Sequence, residues 1–132
     1  MNPRREEAAA AKPASFGSHL PTEIRRAVEL ALDRKALDIV VLDLRGISSA
    51  TDWFVVMSGT SDVHVKAIAD GITEGLDAED VPAGHVEGLT GRRWVLLDYI
   101  DFVVHVFHPQ ARLFYQLENL WGDAKRWEAP EA

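Results

Sequence analysis

The order of patterns along the chain predicts one α/β domain, a mixed sheet with flanking helices. Three observations carry this. Apolar residues recur at helical spacing in three stretches; between them lie short runs of β-branched and aromatic residues. A length of 132 residues suits a single core.

Residues 1–19 are Ala, Pro, Ser and charge without periodicity, and are expected to form a disordered arm. From Pro21, the residues Ile24, Val28, Ala31 and Leu32 define a helix face, with proline tolerated in the first turn. Asp38 to Leu44 is a continuous apolar run between two acids, as expected of a central strand covered on both sides. Trp53 to Met57 is a second strand. Ser61 is a natural N-cap for a helix with Val65, Ile68, Ala69, Ile72 and Leu76 on its buried face. Gly71 and Gly75 weaken that helix by about 1 kcal/mol each relative to alanine. The stretch 80–92 holds Pro82, Gly84, Gly88 and Gly91 and reads as a loop, with room for a short strand at His85 to Glu87. A hairpin over 94–108 follows. Pro109 then opens a last helix with Leu113, Leu117, Leu120 and Trp121 on one face, and Gly122 is placed to stop it. The domain is therefore expected to span 20–122, with 123–132 as a C-terminal tail.

Charge narrows the function. The 21 acidic residues outnumber 14 basic ones, a net charge of −7, and the basic pairs Arg4-Arg5, Arg25-Arg26 and Arg92-Arg93 are scattered. DNA or bare RNA needs clustered cations, so direct nucleic-acid binding is not expected. An acidic surface instead favours a basic protein partner. Charges interrupt every hydrophobic run, so no membrane span is expected. With no cysteine, neither a disulfide nor thiolate chemistry is available, in keeping with a cytoplasmic protein.

No catalytic set stands out. The strand–Ser58-Gly59-Thr60-Ser61–helix arrangement could offer amides to a phosphate, but GxxxxGK[ST] is absent. A nucleotidyltransferase would need a pair of carboxylates on a nearby strand, and none follows the turn. Asp43 and Asp52 read as a strand-end charge and a turn former. His105 and His108 point to opposite faces of a strand, and His85 with Glu87 falls short of a metal site. His64 reads as a helix-surface residue. No metal, cofactor or catalytic residue is assigned.

The hairpin is where the sequence departs from an ordinary core. With Tyr99-Ile100 as a two-residue turn, Asp98 would lie opposite Asp101, Leu96 opposite Val103 and Trp94 opposite His105. One face, with Val95, Leu97, Phe102, Val104 and Val106, is apolar and must face the core. The other mixes Trp94, Leu96, Val103 and Phe107 with Asp98, Asp101 and His105. Aromatic and aliphatic groups rimmed by carboxylates make a protein-binding composition. Composition alone leaves open a face covered by the chain's own loops.

The segments DIVVLDLRGISSATDWFVVMSGTS, HVKAIAD, RRWVLLDYIDFVVHVFHP and ARLFYQLENLWGD are, in order and spacing, similar to the ribosomal silencing factor family (RsfS, or Iojap-like proteins). The resemblance runs from about Ile24 to Gly122. It departs from the family at Ile100, where glycine is common, and in the long N-terminal arm. It implies a nucleotidyltransferase-like fold without catalytic carboxylates, hence no enzyme. It also implies a translation repressor that binds the large ribosomal subunit through ribosomal protein fourteen. There it would block joining of the small subunit under nutrient limitation. The partner-binding set is then Trp94, Leu96, Asp98, Tyr99, Asp101, Val103, His105 and Phe107, with Trp94 and Leu96 as anchors and the aspartates facing basic groups. Two alternatives stay open: a homodimer through the same face, and an enzyme of nucleotidyltransferase type.

Overall fold

A computed structural model describes residues 19–111, 122 and 124–130. The expected N-terminal arm falls almost wholly outside them, as do Leu113, Leu117, Leu120 and Trp121. The elements are α1 (Thr22–Asp33), β1 (Leu37–Asp43), β2 (Trp53–Ser58), α2 (Asp62–Asp77), β3 (His85–Glu87), β4 (Trp94–Asp98), β5 (Phe102–Phe107) and β6 (Lys125–Glu128). Residues 109–111 are also helical, the position at which Pro109 was expected to start a helix.

The strands form one mixed sheet in the order β3-β4-β5-β2-β1-β6. Only β2 and β5 run parallel; the other neighbours are antiparallel. β1 lies between β2 and β6, and Val40, Val41 and Leu42 are all buried, as a strand covered on both sides requires. Lys125–Glu128, expected in the tail, instead pair with β1 as an edge strand. Trp127 anchors them, packing beside Trp53 on the main core with ring centroids 6.3 Å apart.

Both helices cover one side of the sheet. Ile24, Ala27, Val28 and Ala31 of α1 and Val65, Ile68, Ile72 and Leu76 of α2 meet Val41, Val55, Met57, Val95, Leu97, Val104 and Val106 in the principal core. α1 closes with Lys35 at φ +62, the Ala36 amide donating to the Ala31 carbonyl and the Lys35 amide to that of Leu32. The two glycines of α2 sit where that helix meets α1. A Cβ on Gly75 would run into the Leu30 side chain, and one on Gly71 into the Arg34 stem. Their helix-weakening effect is offset by the close approach they allow.

The hairpin closes differently from the expected register. Asp98 pairs with Val103, Leu96 with His105 and Trp94 with Phe107, a shift of two residues. Because side chains alternate with period two, this shift leaves every residue on its expected face. Tyr99 is not in the turn: its amide donates to the Phe102 carbonyl at 2.9 Å, and the two rings stack at 4.8 Å on the core side. The turn is carried by Ile100 and Asp101. Ile100 takes φ +75, and the Asp101 amide reaches back to the Tyr99 carbonyl at 2.9 Å, a γ-turn. A β-branched residue is strained there, and the Ile100 side chain is 73% exposed, so packing gives little in return. Ile100→Gly is therefore expected to stabilise the domain by about 1 kcal/mol. Urea unfolding would read this as a higher midpoint with an unchanged slope.

Candidate partner-binding face

With the helices on one side, the other side of the sheet presents rows of aligned side chains. Ser58, Phe107 and Trp94 form one row; Val56, His105, Leu96 and Glu87 the next; Phe54, Val103, Asp98 and His85 the third. Burial runs across these rows. On central β5, Val103, His105 and Phe107 are buried, whereas Trp94, Leu96 and Asp98 of β4 are half-buried, and His85 and Glu87 of β3 are exposed. The result is a strip of Trp94 and Leu96 along β4. Asp98, His85 and Glu87 border it, with the His85 imidazole 2.6 Å from the Glu87 carboxylate.

Trp94 is fixed from several directions. Its indole lies 5.2 Å from the Phe107 ring, nearly parallel, and its Nε1–H donates to His105 Nδ1 at 3.0 Å. Beneath its carbonyl, Gly88 adopts φ +91, and a Cβ there would collide with the Trp94 oxygen. Only glycine lets the β3–β4 connection pass so close to the strand. Phe54 meets His105 edge-on at 4.3 Å, completing an aromatic enclosure around the imidazole. Burial pushes the His105 pKa down to about 4, so the ring is neutral at pH 7. Since Nδ1 accepts from the indole, the proton is on Nε2, which finds no partner among the described residues.

The expected contact set divides. Trp94, Leu96, Asp98 and Asp101 have exposed surface. Tyr99, Val103, His105 and Phe107 are buried: Tyr99 points to the helical side, where it stacks on Phe102, and Phe107 packs with Val56 and Ala111 on the other. Burial, with the Asp77 charge second, raises the Tyr99 phenol to about 12. Asp98 also has a structural task, its Oδ1 accepting the Ile100 amide at 2.8 Å. Phe54, His85 and Glu87 belong to the face but were not assigned from sequence. Strand alternation could have suggested Glu87 beside Leu96, but only the pairing of β3 to β4 places it.

The alternative chemistries meet internal partners. In the Ser58–Ser61 turn, the Gly59 amide donates to Phe107 O, the Thr60 amide to His64 Nδ1 and the His64 amide to Ser61 Oγ. These donors are not turned toward an anion. Asp43 is held below the usual carboxylate range chiefly by its hydrogen bond from Arg45, whose guanidinium also lies 4.7 Å from the Trp53 ring. Among the described residues no group of three His, Cys, Asp or Glu side chains is arranged to hold a metal ion, and no helix is long and apolar enough to cross a membrane.

His64, read as a surface residue, is a brace. Its Nδ1 accepts the Thr60 amide at 2.8 Å and its Nε2–H donates to the Arg34 carbonyl at 2.7 Å, tying the turn before α2 to the end of α1. His64→Ala is expected to cost about 1–2 kcal/mol, from a lost hydrogen bond and an unpaired amide. Chemical denaturation against wild type would check this, read as a lower midpoint with an unchanged slope.

Known proteins share this fold and much of its sequence. Residues 18–132 match the family model described as ribosomal silencing factor during starvation. A ribosomal silencing factor RsfS from Bacillus subtilis is 47% identical over 92 residues, covering 70% of this chain and 78% of that protein. A mouse protein named mitochondrial assembly of ribosomal large subunit protein 1 is 31% identical over 102 residues, covering 75% of this chain and 45% of its own. A crystal structure of a Chromobacterium violaceum protein superposes with a TM-score of 0.74 at 36% identity, covering 76% of this chain and 83% of that one. In sequence and in fold alike, the chain belongs to the ribosomal silencing factor family.

Proposed function

We propose that this protein binds the large ribosomal subunit through ribosomal protein fourteen and blocks joining of the small subunit, repressing translation when nutrients are limiting. The observation that carries the contact is the half-buried Trp94–Leu96 strip, bordered by carboxylates, on the side of the sheet away from α1 and α2. An anchored tryptophan with a polar rim is the arrangement in which a few residues supply most of the binding energy. Its acidic border, and the net charge of −7, favour a basic ribosomal protein and disfavour rRNA. The names of the relatives, ribosomal silencing factor and a large-subunit assembly protein, support the large ribosomal subunit as the body bound.

Blocking is steric. A folded domain of roughly 100 residues has a radius of gyration of about 13 Å, far larger than an intersubunit contact can accommodate. No chemistry is required, and the protein acts as a binder, not an enzyme. Co-sedimentation with separated subunits, followed by a joining assay, tests the proposal. The expected result is selective pelleting with large subunits and a dose-dependent loss of joined ribosomes. Equal pelleting with both subunits, or none, would overturn it. Light scattering of wild type against Trp94→Glu tests the homodimer alternative, in which the mass falls only in the variant.

A further inference from the structure

On the helical side of the sheet, away from the Trp94 strip, an open cleft of about 360 Å³ runs between α2 and the β3 edge. Its floor is apolar, formed by Ala69 of α2, Val86 of β3, Leu97 of β4 and Ala83 of the preceding loop. Its α2 wall is acidic: Asp70, Glu74 and Asp77 follow one another along a single flank of the helix. Lys66 neutralises Asp70 at 2.5 Å, but Glu74 and Asp77 are exposed and have no ion-pair partner among the described residues. The opposite wall ends at β3, which among the described residues pairs only with β4 and forms the edge of the sheet.

An apolar floor, an uncompensated anionic wall and an adjoining sheet edge together define what would fit. We propose that this cleft docks an extended basic segment of a second protein, laid along β3. One aliphatic side chain would enter between Ala83 and Leu97, and a Lys or Arg two positions away would meet the neighbouring carboxylates of Glu74 and Asp77. Alternate residues of an extended chain share a face, which sets that spacing. A neutral apolar ligand would leave the carboxylates unmatched, and a polycation without an aliphatic residue would leave the floor empty. The cleft and the Trp94 strip lie on opposite sides of the sheet, so the two can be occupied at once.

Amide-shift titration of the full chain with the capped peptide Arg-Thr-Leu-Thr-Arg tests this directly. The expected outcome is saturable shifts confined to α2, β3 and the connecting loop, with a dissociation constant on the order of 0.1–1 mM. Glu74→Gln with Asp77→Gln should weaken binding at least tenfold, and Ala83→Phe, which fills the floor, should abolish it. The peptide Glu-Thr-Leu-Thr-Glu should not bind. No shifts at saturating peptide, shifts centred on the Trp94 strip, or equal affinity in the double glutamine variant would each overturn the proposal. Large-subunit pelleting by the double variant should match wild type, so failure here is distinct from failure of the ribosomal proposal.

Discussion

Trp94→Ala is expected to weaken binding to large subunits about 100-fold, while Asp98→Asn weakens it about tenfold. The first figure follows from truncating an aromatic anchor at the centre of a contact, typically 2–4 kcal/mol, and each 1.4 kcal/mol is a factor of ten. The second isolates charge: asparagine keeps an oxygen for the Ile100 amide, so the turn is preserved while the carboxylate is lost. Leu96→Ala should fall between the two. Because Trp94 also stacks on Phe107 and donates to His105, its removal will lower stability as well. Binding must therefore be compared well below each variant's unfolding midpoint. Trp94→Phe is the informative companion, since it keeps the stack and loses the N–H. Unchanged pelleting by folded Trp94→Ala would remove this strip from the interface.

Acid is expected to destabilise the domain through His105. Its pKa is lowered from 6.5 to about 4 by burial. Between those values the unfolded chain binds a proton that the folded chain refuses. Stability is thus complete above pH 6.5 and is lost as pH falls through the window. At 1.36 kcal/mol per unit, the full loss is about 3 kcal/mol, with about 2 kcal/mol already gone at pH 5. His105→Gln retains an acceptor for the Trp94 indole and cannot titrate. It should therefore be less stable at pH 7 yet lose much less between pH 7 and pH 5. Parallel losses in the two proteins would show that the imidazole is not the source.

Elements with strong periodicity were legible in the sequence. The 3.6-residue spacing through Ile24 and Val28, and again through Val65 and Ile72, marks both described helices, and the unbroken run at Asp38–Leu44 marks a strand inside the sheet. The short strand at His85–Glu87 was legible from the residues between its glycines. β6 was not, because an edge strand needs only one half-buried anchor, and Trp127 alone does not make a pattern. The hairpin register was missed because Ile100 occupies a backbone region that residue preferences reserve for glycine. The faces of the hairpin could be read from alternation, but not their depth. Depth depends on what packs over β5, as Val56 and Ala111 do around Phe107, a tertiary fact that no local pattern encodes. The same holds for His64, whose partner Arg34 lies 30 residues away.

The packing around Trp94 has a kinetic consequence. With its nitrogen held by His105, its ring stacked on Phe107 and its backbone passing over Gly88, the indole has lost its rotamer freedom before any partner arrives. Ordering an interface side chain costs about 0.5–1.5 kcal/mol, and here folding has already met that cost. Association should then proceed as the docking of a rigid patch, at a rate set by diffusion and charge steering. Loosening the brace while keeping the tryptophan would chiefly change how long the complex lasts. Residence time on the ribosome, and with it the duration of silencing, would thus be tuned from beneath the surface, by side chains that never touch the partner.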